Sequence, residues 1–247
     1  MTVDYGRGQP VNVTQCVVEF TLPEDFTPPV LFYYRLSNFY QNHRRYVQSF
    51  SDKQLSGDAL SLKDVDKSDC DPMRSDDDER LPYYPCGLIA NSLFNDTYSS
   101  PQLLGGDDPV EYKMKNNTDI AWDSDKELYG KTKYKPNEVL PPPNWRRLWP
   151  DGYTDELPIP NIEEWEGLMV WMRTAGLPTF SKLYQRNDDE PMRQGTYRVI
   201  ISDGKFYAPS RGAFVRGQGL IPSGRVPRGY LQGHKVHRHL DADRYGG

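Results

Sequence analysis

Apolar and polar positions keep a readable rhythm in only a few stretches of the chain. Val17–Leu22 alternates as a half-buried strand would, and Leu31–Leu36 (LFYYRL) is a short aromatic run of β character. Pro23–Pro29 between them reads as a turn-rich break. Thr196–Ser202 (TYRVIIS) predicts a third strand, opened by Gly195 and β-branched at its centre. Glu166–Thr174 (EGLMVWMRT) has a continuous apolar centre that periodicity alone assigns to neither strand nor helix; Gly176 and Pro178 end it. Asn38–Phe50 (NFYQNHRRYVQSF) predicts a short helix with Asn38 as N-cap.

Elsewhere the rhythm fades. Residues 51–80 read as a solvated loop full of Asp, Ser and Lys, and Pro85–Leu93 (PCGLIANSL) as a compact apolar segment. Residues 99–160 hold two proline clusters and little periodicity; Trp122, Trp145 and Trp149 are expected to pin them to the body. Residues 1–15 are polar and expected to be disordered or wrongly assigned.

Composition sharpens this. Of 247 residues, 36% are hydrophobic and 13% aromatic, and Tyr alone accounts for 17. Tyr suits half-buried strands, and 21 Pro with 20 Gly demand many turns, so a β-rich domain with long loops is expected. A net charge of −5 argues against a nucleic-acid partner, which calls for a basic surface. No run approaches the roughly 20 apolar residues that cross a bilayer.

Candidate chemistry is sparse. Cys70 and Cys86 flank an acidic, Pro-containing loop. A disulfide there would close about 15 residues and contribute roughly 3 kcal/mol. Two free thiols fit the spacing equally well, and Cys16 has no evident partner. Sequons at Asn12, Asn95 and Asn116 lean toward an oxidising, lumenal compartment. The run Ser75–Glu79 lacks the spacing of a calcium loop and reads as a solvated charge run. His234, His237 and His239, with Asp241 and Asp243, could converge on zinc but rank low. His43 has no neighbour that would make it a base. No nucleophile elbow, phosphate loop or zinc-protease motif occurs, so no cofactor, metal or catalytic residue is assigned.

Three segments are more specific than composition: Phe32–Phe50 (FYYRLSNFYQNHRRYVQSF), Pro85–Thr97 (PCGLIANSLFNDT) and Val170–Tyr184 (VWMRTAGLPTFSKLY). In this order they resemble the cell division control protein 50 family, also called the ligand-effect modulator 3 family. The resemblance runs from about Cys16 to Asp203 and is closest to fungal members. It implies a mainly β, antiparallel sandwich-like ectodomain with long loops and a few short helices. It implies a non-catalytic accessory subunit that partners a type IV P-type ATPase, a phospholipid-translocating pump, and helps it leave the endoplasmic reticulum. Contact with membrane lipids would run through two flanking transmembrane helices absent from this chain. The region would be lumenal or extracellular, with the parent in the endoplasmic reticulum, Golgi, endosome or plasma membrane. The resemblance also implies a Cys70–Cys86 disulfide and a glycan on Asn95.

Both ends depart from the family pattern. Upstream of Cys16 a membrane helix and a partner cysteine are expected. Downstream of Asp203 a further strand and a second membrane helix are expected, where this chain reads GKFYAPSRG and ends QGHKVHRHLDADRYGG. Gly204-Lys205-Phe206 can be encoded with an embedded splice donor, and a one-nucleotide shift across Gln232–Gly246 permits residues of the family strand. Residues 204–247 are therefore expected to be a retained intron followed by an out-of-frame exon, with 205–229 irregular and the histidine cluster accidental. The competing readings are a free carbohydrate-binding β-sandwich module, suggested by the Trp and Tyr content, and an acid hydrolase using two of the many carboxylates.

Overall fold

The computed structural model describes residues 2–3, 11–12, 14–203 and 210–217. In chain order the strands are β1 (Thr2–Val3), β2 (Val11–Asn12), β3 (Thr14–Leu22), β4 (Val30–Leu36), β5 (Thr97–Tyr98), β6 (Gln102–Leu104), β7 (Val110–Glu111), β8 (Lys115–Asn116), β9 (Phe180–Asn187), β10 (Gly195–Asp203) and β11 (Ser210–Gly217). The helices are short: α1 (Arg44–Gln48), α2 (Asp52–Leu55), α3 (Leu62–Val65), α4 (Leu88–Asn91), α5 (Asp123–Lys126) and α6 (Glu166–Met172).

Two antiparallel sheets form the body. One runs β3-β10-β6-β7, with β5 also on β10; the other runs β11-β4-β9-β8. On β4 every second residue is buried (Val30, Phe32, Tyr34, Leu36), as the period of two requires. Its inner aromatics meet the opposite sheet: the Phe32 ring lies 5.3 Å from that of Tyr98 on β5, and Tyr98 lies 5.0 Å from Tyr184 on β9. β10 contributes Tyr197 and Val199 to the same core. The mainly β, antiparallel expectation holds.

The direction of the strands places the rest. The β3–β4 and β9–β10 connections lie at one end of the sheets, bridged by Phe26 and Met192. At the other end Thr14 pairs with Asp203, and Leu36 pairs with Phe180. Both flanks of the described body thus leave side by side, and the segments after Leu36 and before Phe180 start from that same end.

Several local expectations are corrected. Asn38 is not an N-cap; it takes φ 59°, a left-handed turn conformation that Asn tolerates, and the helix waits until Arg44 behind His43. Residues 51–80 are not a bare loop: Ser51 and Ser61 cap α2 and α3, and Leu55, Val65 and Cys70 are buried. Trp145 and Trp149 are buried pins, but Trp122 is exposed. Within 1–15, Thr2–Val3 pairs with Val11–Asn12, and β3 already begins at Thr14. Within the tail, Ser210–Gly217 pairs along β4 instead of being irregular. The sequence Gly-Ala-Phe-Val gives that strand β-compatible residues, and β4 offers it an edge that would otherwise be open. β10 is paired on both sides, so it lacks no neighbour.

Candidate functional site

The segment Pro85–Thr97 is held by three sets of bonds. First, Cys70 and Cys86 are joined in a disulfide, with Cα atoms 5.6 Å apart, and both are buried. They form a small second core with Val65, Tyr83 and Leu140. Second, Gln54, fully buried at the end of α2, accepts from the Cys86 N–H at 2.9 Å. Its amide donates to the Tyr83 carbonyl and the Tyr134 hydroxyl. Third, Ser49 accepts from Leu88 N–H and donates to the Asp71 carbonyl, which ties the start of α4 to the loop before Cys86.

Gly87 makes this approach possible. Its φ is +103°, and a Cβ there would lie 2.0 Å from the Ser49 carbonyl oxygen. The following helix α4 is too short to be stable alone. Two indoles fasten it: Trp145 Nε1 donates to Ala90 O, and Trp171 Nε1 donates to Ile89 O.

Trp171 belongs to α6, and α6 is anchored at both ends. At its start Glu166 accepts from the Ile120 and Ala121 N–H groups and pairs with Lys126 at 2.8 Å. Burial pushes this carboxyl up, but the Ala121 N–H, Lys126 and the Ile120 N–H together hold it below the ordinary value. At its end the buried Lys182 of β9 donates to the carbonyls of Val170, Trp171 and Arg173. Burial, reinforced by Arg173, pushes the Lys182 ammonium down to about 7.

The sequons fall in three settings. Asn116 is exposed on β8, opposite Gln185. Its neighbour Asn117 is occupied, accepting from Gly167 N–H and donating to Glu164 O. Asn95 is half-buried just before β5, at the end of the sheets where Thr14 and Asp203 meet. Asn12 lies in β2. Cys16 is exposed on β3. The histidines at 234, 237 and 239 lie outside the described residues.

Nothing in this arrangement forms a reactive constellation. Among the described residues no group of three or more metal-ligating side chains could hold an ion. Each carboxylate with a resolved shift is held down. Asp76, for example, is lowered by the Glu79 N–H, then by Arg146 and the Asp78 N–H, against some desolvation. The acidic run is thus partly ordered around Asp76, which also accepts from the Tyr83 hydroxyl. Sequence reading missed Gln54, Gly87 and Lys182. Only Gly87, directly after a Pro-Cys pair, carried a signal that could have been read.

Comparison with known proteins places this geometry. Residues 5–208 match the LEM3 (ligand-effect modulator 3) family / CDC50 family. The chain is 47% identical over 191 residues to the phospholipid-transporting ATPase accessory subunit CDC50 of Chaetomium thermophilum, covering 75% of this chain and 47% of that protein. It is 44% identical over 186 residues to the phospholipid-transporting ATPase accessory subunit CRF1 of Saccharomyces cerevisiae, covering 75% and 46%. It is 42% identical over 195 residues to cell cycle control protein 50A of Mus musculus, covering 72% and 51%. The chain therefore spans about half the length of these relatives. Among the described residues no helix is long and apolar enough to cross a membrane.

Proposed function

The chain belongs to the LEM3/CDC50 family, and on that footing we propose that it is the ectodomain of a non-catalytic accessory subunit of a phospholipid-translocating ATPase. The observation that carries this reading is the match across residues 5–208, which includes the disulfide, Gly87 and both indole-fastened helices. The phosphoryl chemistry belongs to the pump; this chain supplies a rigid body that the pump folds and travels with.

The strand ladder supports two membrane anchors in the parent protein. Thr14 and Asp203 are register partners, so chain entering before β3 and leaving after β10 passes through one end of the body. Two helices in one bilayer require that geometry. Glycans on Asn95, Asn116 and Asn12, with the Cys70–Cys86 bond, suit a lumenal or extracellular face.

The test is co-purification. The full-length parent, tagged and expressed with a lipid-translocating P-type ATPase of its own cell, is expected to retain the pump through detergent extraction and to carry it out of the endoplasmic reticulum. A parent that folds, reaches the same compartment and never retains such a pump contradicts the reading. Digestion with a glycan-removing enzyme, compared with Asn95→Gln and Asn116→Gln, shows which sequons are used.

A further inference from the structure

The segments 37–43 and 173–179 pack on one another at the end of the sheets where Thr14 and Asp203 meet. Phe39 N–H donates to Pro178 O, Asn42 Nδ2 to Gly176 O, and Ala175 N–H to Gln41 Oε1. The buried Gln41 and half-buried Phe39 fasten the two segments to the core. The residues beside them do the reverse. Tyr40 is 59% exposed and Leu177 69% exposed, although each adjoins a well-packed position.

The charges there are equally unexplained by the fold. His43, Arg44 and Arg45 are all exposed, and neither arginine joins an ion pair among the described residues. Arg44 opens α1, the end of a helix at which a cation is disfavoured. A position that exposes apolar area and strands unpaired cations gains nothing for stability. Such breaks in local consistency concentrate where a protein meets something else.

We propose that Tyr40 and Leu177, bordered by His43, Arg44 and Arg45, form a contact surface for the anionic headgroups of a phospholipid bilayer. The charge is complementary to phosphate and carboxylate groups. A phenol ring and a leucine beside arginines are the side chains that settle at a headgroup boundary. The placement agrees, because the surface is built on the end of the sheets from which both flanks leave. This inference rests on the proposed membrane anchoring and adds that the ectodomain itself touches lipid near the site of translocation.

The experiment is co-sedimentation of the full chain with phosphatidylcholine vesicles, with and without phosphatidylserine. Binding is expected only with the anionic lipid and is expected to weaken as salt rises. Each arginine should account for about fivefold in affinity, so Arg44→Glu with Arg45→Glu should abolish pelleting. Arg44→Lys with Arg45→Lys should retain most of it, and Tyr40→Ser with Leu177→Ser should lower it several-fold. All these side chains are exposed, so the far- and near-ultraviolet dichroism of each variant should match the parent. Equal pelleting of parent and Glu variant overturns the proposal. So does a Glu variant of the full-length protein that loses the pump yet pellets normally, since the surface would then be a protein contact. Failure to pellet while the parent still co-purifies with its pump sinks this inference alone and leaves the subunit reading standing.

Discussion

The paired sheets and the disulfide-closed layer bury their groups by opposite means. In the sheets the ladder satisfies the backbone, so the interior can be apolar: Val30, Phe32, Tyr34 and Leu36 on β4 face Tyr98, Tyr184, Tyr197 and Val199. The layer from Ser49 to Asn91 has only short helices and turns. Its backbone groups find partners in buried side chains, Gln54 and Ser49 above all, and its small core is sealed by Cys70–Cys86. A sheet is specified by a pattern that tolerates exchange of similar residues. The layer is specified by a few positions with no substitute, because each removes the only partner of a buried backbone group.

The widest break of that contrast is expected at the interface of the sheets. Phe32→Ala should lower stability by about 3–5 kcal/mol, measured by urea denaturation, and should loosen both regions together, since Phe32 touches rings from both sheets. Gly87→Ala is expected to follow at about 3–4 kcal/mol. It forces a Cβ against Ser49 O, so hydrogen exchange should show the loss within the layer. Replacing Cys70 and Cys86 together by Ser removes a closure spanning a separation of 16 residues. That should lower the same region by about 3 kcal/mol. Gln54→Leu keeps the volume but strands the Cys86 N–H, and roughly 2 kcal/mol should be lost.

The smallest effect is a slope with pH. Burial and Arg173 set the Lys182 ammonium at about 7 in the folded protein, against 10.5 when free. Above pH 7 the unfolded chain therefore holds a proton that the folded chain has released. Stability should rise with pH from that point, by up to about 1.4 kcal/mol per unit, and be flat below it. Lys182→Met should remove the slope, whereas Lys133→Met, whose ammonium pairs with Asp58 at the surface, should keep it. Denaturation midpoints at a series of pH values separate the two.

What was legible in the sequence follows the same division. The strands at 17–22, 31–36 and 196–202 show in the residues because a half-buried ladder imposes alternation and β-branching. β9 went unread, since Phe180–Asn187 mixes Lys, Gln, Arg and Asn, and its buried polar residues answer to distant partners. The same reason hid the layer. Its Asp, Ser and Lys content reads as solvated, while Gln54, Ser49 and Lys182 are buried because carbonyls and N–H groups far along the chain need them. Spacing alone left Cys70 and Cys86 open to two readings; the family resemblance pointed to one pairing, and the structure holds them together.

Hydrogen exchange of the oxidised and gently reduced chain tests the division itself. The account predicts that reduction lowers protection from Ser49 to Asn91 and around Leu140, while β4 and β10 keep theirs. Uniform loss across both sheets, or no change in the layer, would contradict it.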